Sequence, residues 1–418
     1  MTHSITRIVL LLSLFASGDA LARTQQSETN VNARYQVESV AIAGVPETTL
    51  NTALRDDMQK LVGAKYDPDA TEALAERMRR QLPDYAIAVK VKRGEHPEHV
   101  TVTFAAERIR NRRFDVHLPP LVYDNHEGFS GALVPALDTH HNYVSFGYLN
   151  SADQLLERNA GIRVRYEHRK VGTDLVQIGL EYDRYHPSFA PQTAAALLTA
   201  PDVPGIYRTR ETFAPSVSVI PVPDLKLTVG PSFQTLQFDS PTPHAAAAHA
   251  FTADVQFRRQ VRPRRGLRHT IAADYGLRDA TPTLGSDFVY TRHLVAAHYT
   301  LTVGRQMVGA HFQAGHLGGQ APLFERFSLG NSMTLRGWNK FDVAPLGGSR
   351  LTYGSLEYRY RPFQVFYDFG TVWAPEQPAV VRHSVGFGLV SKDGFFLSLG
   401  FPVRLHRVTP AVMFGFRG

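Results

Sequence analysis

The residues best suited to a specific interaction lie in a glycine-containing stretch near the C-terminus, FSLGNSMTLRGWNKF (327–341). This stretch has no strand periodicity, and it carries a single Arg-Gly pair, Arg336 and Gly337, between Leu335 and Trp338. The arginine guanidinium is a rigid fork of hydrogen-bond donors that matches a carboxylate. Glycine lets the backbone turn tightly and approach a wall closely. We therefore expect a loop that folds inward and binds an acidic side chain.

Two acidic residues on strand-like segments are the candidate partners of Arg336. Glu357 lies in SLEYR, and Asp368 lies in FYDFG. Side chains alternate between the two faces of a strand, so Asp368 lies opposite the face that Tyr367 and Phe369 share. If those aromatic side chains contact lipid, Asp368 faces the interior, because a charge on a lipid face costs about 2–4 kcal/mol.

Other residue patterns give little support for catalysis or metal binding. The closest histidine sets, HPEH (96–99) and the pair His140-His141, have no third ligand nearby, so no metal site and no cofactor are expected. The sequence has no Gly-x-Ser-x-Gly elbow, phosphate-binding loop or zinc helix motif, and we predict that the protein is not an enzyme. A basic cluster without interleaved aromatic residues favours lipid phosphate or plain solvation over nucleic acid. The cluster comprises Arg258, Arg259, Arg262, Arg264, Arg265 and Arg268.

The N-terminus predicts export. Arg7 precedes an apolar run, IVLLLSLFA (8–16), and small residues in ALA (20–22) provide a cleavage site. Residues 1–22 are therefore expected to be a signal peptide, and the polar residues 23–34 a flexible leader. No other stretch reaches the roughly 18 apolar residues of a transmembrane helix. The net charge of +7 in an exported protein indicates contact with anionic lipid or lipopolysaccharide.

Residues 35–110 are expected to form a small mixed domain. Two stretches with apolar residues at spacings of three and four, each with a proline near its start, predict helices at 46–63 and 67–85. Three strand-like segments surround them, at 35–44, 85–94 and 98–108. The predicted order is β-α-α-β-β.

From residue 111 to 418, helical periodicity gives way to alternating segments of about ten residues. In GIRVRYEHR, Ile162, Val164 and Tyr166 alternate with charged residues, and VQIGLEYDRY repeats the pattern. Such alternation is found in a soluble antiparallel sandwich and in a membrane barrel with water inside. Charges in mid-strand, segments near the length of about 9–11 residues that crosses a bilayer, and alternating short and long connections favour the barrel. We predict a mainly β protein with a transmembrane antiparallel barrel.

About fifteen strands can be placed between residues 128 and 417, and bacterial barrels carry an even number. The candidate for the remaining strand is RFDVHL (113–118), which ends at Pro119-Pro120. Two prolines disfavour a central strand but are tolerated at an edge, such as the first strand of a barrel with a weak seam. The loop that contains Arg336 then lies between the eleventh and twelfth strands.

Four motifs follow one another in the C-terminal half: LRGW, SLEYRY, VFYDFGTVW and SVGFGLVS. Together they resemble the BamA/TamA outer-membrane insertase superfamily, also called bacterial surface antigen proteins. RPRRG, with Pro263 and Gly266, is similar to the periplasmic turn of that family, and the β-α-α-β-β unit resembles its periplasmic POTRA domain. The chain departs from the family at Trp338, where Phe or Tyr is usual, and in having one recognisable POTRA-like unit where the essential assembly factors have several.

The resemblance implies an outer-membrane barrel of about sixteen strands whose N-terminal domain lies in the periplasm. By matching positions, residues 335–338 are the loop motif that folds into the lumen. The wall positions that receive it are Asp368, Gly370 and Glu357. The family also implies a weak seam between the first and last strands, at which client strands are templated. The implied partners are outer-membrane lipid and lipopolysaccharide, unfolded outer-membrane or secreted client proteins, and periplasmic accessory proteins.

Three functions fit this pattern: an insertase or translocase, a passive pore or solute channel, and a surface-anchored structural or adhesive protein. The POTRA-like unit discriminates best, because a free sheet edge can bind an unfolded client by β-augmentation, which a solute pore does not need. An adhesive protein would be expected to have longer outer loops richer in Ser and Thr. The sequence therefore favours assistance in the assembly, insertion or translocation of other proteins.

Overall fold

The computed structural model describes most of the chain from residue 34 to residue 416. The described residues are 34–82, 85–108, 115–117, 121–139, 141–151, 155–200, 203–239, 242–264, 266–392, 394–404 and 408–416. The predicted signal peptide, nearly all of the leader and His140 lie outside them. The chain divides into two compact units, Met1–Arg110 and Asn111–Gly418.

The described part of the first unit has the predicted β-α-α-β-β order. Its elements are β1 (Gln36–Ala43), α1 (Thr52–Leu61), α2 (Pro68–Gln81), β2 (Tyr85–Arg93) and β3 (His99–Arg108). The sheet order is β1-β3-β2, with β1 parallel and β2 antiparallel to β3. Apolar side chains of both helices pack on the central strand and are almost fully buried, among them Leu54, Met58, Leu74, Met78, Val102 and Phe104.

The prediction that the first helix begins at Pro46 was wrong. Pro46 precedes a 3-10 turn, Glu47–Thr49, and α1 begins after Asn51. The Asn51 side chain accepts a hydrogen bond of 2.9 Å from the backbone N–H of Leu54, which satisfies one of the free donors at a helix start. The second helix, predicted at 67–85, spans Pro68–Gln81, so its start is confirmed to within one residue and its end lies four residues earlier than predicted.

The second unit is a closed antiparallel barrel of sixteen wall strands over the described residues, as predicted. Its strands before the longest loop are β4 (Asp115–His117), β5 (Leu121–Asp124), β6 (Gly128–Asp138), β7 (Asn142–Ser151), β8 (Glu157–His168), β9 (Val176–Phe189), β10 (Tyr207–Val222), β11 (Leu225–Phe238), β12 (His244–Ala247), β13 (Ala250–Arg264), β14 (Leu267–Ala280), β15 (Val289–Val303) and β16 (Gln306–Gln320). Those after it are β17 (Arg350–Tyr360), β18 (Phe363–Trp373), β19 (Arg382–Val390), β20 (Phe395–Pro402) and β21 (Ala411–Phe416).

Two pairs of segments share one wall position each. Both β4 and β5 pair with β6, and both β12 and β13 pair with β11. The predicted strands from residue 128 onward are confirmed to within a few residues at each end. The short strand β12 and a short helix, α3 (Pro191–Leu197), were not predicted, because each is too short to show a periodic pattern in the sequence.

The prediction for the first wall strand was wrong in part. Of the segment 113–118, the described residues Asp115–His117 form strand β4, which pairs with β6, but the described residues of the last strand have their pairing partners elsewhere. They pair with β5, beyond the two prolines. Proline has no N–H to donate, so a continuous ladder through this point is disfavoured. Where the structure describes both strands, the barrel closes through four residue pairs, from Met413–Asp124 to Phe416–Leu121. We call this β5–β21 contact the seam.

The barrel surface is apolar on the outside. Large exposed side chains line every part of the wall, including Phe146, Phe213, Phe312, Val365 and Phe387. Short turns join the strands at one end, such as the two residues between β15 and β16. Most connections at the other end are longer, although β5 and β6 are joined there by three residues. We call the two ends the short-turn end and the long-loop end. No helix among the described residues is long and apolar enough to cross a membrane.

The longest connection, residues 321–349, folds into the lumen at the long-loop end; we call it the inner loop. Its two ends are joined by a pair of backbone hydrogen bonds of 2.9 Å between Phe327 and Gly348. Apolar side chains of the inner loop and the wall form one buried cluster, which includes Leu236, Tyr290, Leu323, Phe324, Phe327, Leu329, Leu335 and Tyr353. The long-loop half of the lumen is therefore packed like a protein core.

Candidate functional site

The structure brings Arg336 together with three wall residues. Its Nε and Nη2 atoms donate hydrogen bonds of 2.9 and 2.8 Å to the two carboxylate oxygens of Asp368 on β18. From β17, Ser355 Oγ lies 3.1 Å from Nη2, and a Glu357 carboxylate oxygen lies 3.3 Å from Nη1. Since Ser355, Glu357 and Asp368 lie on adjacent strands, the sheet fixes their spacing and the loop supplies the arginine.

This ion pair is buried. Asp368 is fully buried and Arg336 is 5% exposed. The guanidinium carbon lies 3.6 Å from the centre of the Phe366 ring, and Ser355 Oγ donates a 2.7 Å hydrogen bond to Asp368. Removing one partner of such a pair costs about 3–5 kcal/mol, because the other charge is left uncompensated. The contact can therefore hold the inner loop in one position.

The residues on either side of Arg336 have unusual backbone geometry. Leu335 has φ of +48° and its side chain is fully buried. Gly337 has φ of +107°, and a Cβ there would lie 2.9 Å from the Gly400 carbonyl carbon on β20. Only glycine combines this φ with so close an approach to another backbone. The turn thus directs Arg336 into the wall.

Gly370 and Trp338 occupy the remaining predicted positions. A Cβ on Gly370 would lie 3.0 Å from Leu329 Cδ1, so this wall glycine makes room for the inner loop. The Trp338 indole N–H donates a 2.9 Å hydrogen bond to the backbone carbonyl of His383 on β19. Two guanidinium groups lie near its ring, those of Arg382 and Arg404 at 5.5 and 5.8 Å from the ring centre.

Two further ion pairs anchor the inner loop, and neither was predicted from the sequence. Glu325 lies 2.8 Å from the Arg278 guanidinium on β14 and 3.6 Å from that of Arg292 on β15. Lys340 lies 2.7 Å from the carboxylate of Glu127, in the β5–β6 turn. Each partner is separated from the loop by tens to hundreds of residues, and neither pair has a local sequence motif that could have revealed it.

Pro263 and Gly266 lie at the short-turn end, away from the inner loop's contacts. Pro263 belongs to β13, and Gly266 has φ of +81° in the turn to β14. Four arginines of the basic cluster are exposed there: Arg258, Arg259, Arg262 and Arg268. Two of them have loose carboxylate neighbours, Arg258 at 4.0 Å from Asp274 and Arg259 at 4.0 Å from Asp224. This geometry is typical of solvated surface charge.

A cavity of about 300 Å³ lies beside Arg336, which forms part of its lining. Its lining is mixed and includes His298, His311, Met333, Glu357 and Arg359. Among the described residues, no group of three or more His, Asp or Glu side chains is placed to hold a metal ion.

Comparisons with known proteins identify the family to which this architecture belongs. The Omp85 superfamily domain matches residues 87–404, which is more than half of the chain. A search of curated proteins found no match. Among solved structures, BamA from Haemophilus ducreyi lacking POTRA domains 1–3 is similar with a TM-score of 0.57 and 14% identity, over 91% of this chain and 84% of that one. CdiB from Acinetobacter baumannii is similar with a TM-score of 0.54 and 12% identity, over 91% and 73%. The chain belongs to the Omp85 superfamily, and it is a β-barrel protein of the bacterial outer membrane.

Proposed function

We propose that this protein assists the insertion or translocation of other proteins at the outer membrane, with client strands entering through the seam. The observation that carries the proposal is the shortness of the seam among the described residues. Four such residue pairs join β5 to β21, whereas fourteen join β14 to β15. A strand edge with few partners is a template for another strand.

The first unit supports the capture of a client. Its strand β2 pairs with β3 on one side and with no other described strand. An extended peptide can add to such an edge through backbone hydrogen bonds. We propose that residues 35–110 form a POTRA-like periplasmic domain following a signal peptide (1–22) and leader (23–34), with unfolded client proteins and periplasmic accessory proteins as its partners.

We propose that the loop motif keeps the inner loop in place while the seam opens to receive client strands. Arg336 holds it through Asp368 and Glu357, and Gly337 and Gly370 permit its close approach to the wall. A passive solute pore is less consistent with this arrangement, because the apolar cluster fills the long-loop half of the lumen. We also propose outer-membrane lipid and lipopolysaccharide as partners, with the exposed arginines at the short-turn end contacting lipid phosphate.

A reconstitution experiment tests the proposal. The full-length barrel is placed in liposomes, an unfolded small outer-membrane barrel is added, and its folding rate is measured. The wild-type protein should accelerate client folding, and Arg336→Ala should reduce that acceleration while still forming a heat-modifiable barrel. Arg163→Ala is the matched control, because it removes a wall ion pair with Asp183 (2.7 Å) that does not contact the inner loop. No acceleration by the wild-type protein, together with ion conductance, would instead support a pore.

A further inference from the structure

One buried cation of the inner loop, Lys340, contacts the β5–β6 hairpin, which carries one strand of the seam. Lys340 is 1% exposed. Its Nζ atom lies 2.7 Å from a carboxylate oxygen of Glu127 and donates a 2.5 Å hydrogen bond to the backbone carbonyl of Leu155. Glu127 lies in the tight turn between β5 and β6, three residues after the last residue of β5.

That same turn completes the seam. Asn125 donates its backbone N–H to the Val412 carbonyl at 3.1 Å and accepts the Val412 N–H on its side-chain oxygen at 3.0 Å. Its side-chain amide also donates to the Pro410 carbonyl at 3.3 Å. The side chain thus imitates a strand backbone and extends the four-pair seam at its long-loop end. Any movement of this turn therefore moves these hydrogen bonds.

The inner-loop segment 336–340 is fixed to the wall on the other side of the seam. Gly337 packs against the backbone of Gly400 on β20, the neighbour of the last strand. Trp338 is bound to β19, and Arg336 to β17 and β18. Five consecutive residues therefore connect the strands before the seam to the hairpin after it.

We propose that Lys340 is a positioning residue that latches the seam shut by holding the β5–β6 turn through Glu127. The proposal rests on the proposed function, in which the seam opens to receive client strands. The seam opens only when this ion pair breaks or when the segment 336–340 leaves the wall together with it. Because both charged groups are buried, the pair has little competition from water, and a client strand or a movement of the inner loop must displace it.

Thiol labelling measures this opening directly, since the chain has no native cysteine. Val122 is 5% exposed on the seam strand β5, so Val122→Cys reacts with a water-soluble maleimide only when the seam opens. In liposomes, Lys340→Met and Glu127→Gln should each raise the labelling rate by about tenfold or more, because each removes the buried ion pair that holds the β5–β6 turn to the inner loop. The double variant should label no faster than the faster single variant, since both changes break one contact.

Two controls separate local opening from general loosening. Arg163→Met, which breaks the wall pair with Asp183, should leave the labelling rate of the Val122→Cys reporter within about twofold of the starting protein. A second reporter, Ser218→Cys on β10, lies away from the seam and should be labelled at the same rate in the latch variants as in the starting protein. An equal rise in the labelling rate of both reporters would indicate loosening of the whole barrel and would overturn the proposal.

The proposal also falls if Lys340→Met and Glu127→Gln form heat-modifiable barrels whose labelling rates equal that of the starting protein. If neither variant forms a barrel, the pair is needed for folding, and the positioning role is likewise rejected. These results are independent of client folding. A wild-type protein that does not accelerate a client would overturn the proposed function and leave the labelling rates unchanged.

Discussion

Asp368 binds Arg336 through both the backbone and the side chain of the arginine. One carboxylate oxygen accepts the Arg336 backbone N–H and the Nε–H, each at 2.9 Å, while the other accepts Nη2 at 2.8 Å. A single buried carboxylate therefore fixes the turn of the inner loop as well as the direction of its side chain. A residue that keeps the positive charge but lacks the fork cannot reproduce this arrangement.

Arg336→Lys should destabilise the barrel by about 1–3 kcal/mol, because the paired hydrogen bonds to Asp368 are lost. The loss should be smaller than in Arg336→Ala, because lysine keeps the positive charge. The shift in the urea concentration at which the compact, faster-migrating form disappears on a gel measures this change. Arg165→Lys is the control, since Arg165 is half exposed beside Glu167, and it should change stability by about 0.5 kcal/mol or less. Equal effects of the two substitutions would contradict a special role for the Arg336 fork.

Gly337→Ala should displace the inner loop from β20. The new Cβ would meet the Gly400 backbone at 2.9 Å, and the φ of +107° adds strain of about 1–3 kcal/mol. Hydrogen exchange of residues 328–339 should accelerate. Gly172→Ala is matched in backbone type, with φ of +73°, but has open space around it. It should cost stability without changing exchange in the inner loop, and acceleration by both variants would contradict the prediction.

Glu325→Gln should loosen the other end of the inner loop. It removes the carboxylate that faces Arg278 and Arg292 and leaves their partly buried charges uncompensated, at a cost of about 3–5 kcal/mol. Glu325 holds the apolar cluster around Leu323 and Phe324 inside the lumen. We therefore expect its loss to increase ion conductance in planar bilayers. If conductance and hydrogen exchange of residues 321–329 match those of the wild-type protein, Glu325 is not an anchor.

The first unit should lose stability in acid through Asp57. Hydrogen bonds from Lys60, at 2.8 Å, and from Arg77 of the second helix, at 2.5 Å, lower the pKa of this carboxyl below its ordinary value of 3.8. Its stabilising contribution is therefore present above pH 3.8 and is lost as the pH falls through the lower folded-state pKa. Hydrogen exchange of α1 and α2, corrected for intrinsic rates, should show this loss in the wild-type protein.

Asp57→Asn supplies the comparison for that acid effect. This variant has no carboxylate to protonate, so it should be less protected than the wild-type protein at neutral pH and should lose less protection on acidification. Asp56→Asn is the neighbouring control, because no hydrogen bond to Asp56 contributes to the effect. A parallel acid response in the wild-type protein and Asp57→Asn would show that another group is responsible.

Much of the architecture follows from local periodicity. Alternation with a period of two placed the wall strands from residue 128 onward, because lipid outside and water inside impose the same requirement on each strand. The spacing of apolar residues likewise placed both helices of the first unit. The start of α1 was misplaced because an asparagine side chain competed with proline as the helix start, and single-residue capping is a weaker signal than a repeated pattern.

For the candidate site, too, one part follows from the sequence and another part from the tertiary structure. The sequence alone determined that Arg336 and Gly337 are suited to a close contact with a carboxylate, since residue type carries that chemistry, and it proposed Glu357 and Asp368 as partners. Only the tertiary structure decided which atoms meet, that β5 and not the segment before the prolines closes the barrel, and that Glu325 and Lys340 are anchors. Those contacts join residues far apart in the chain, and their distances are set by the closure of the whole sheet, which no local pattern encodes.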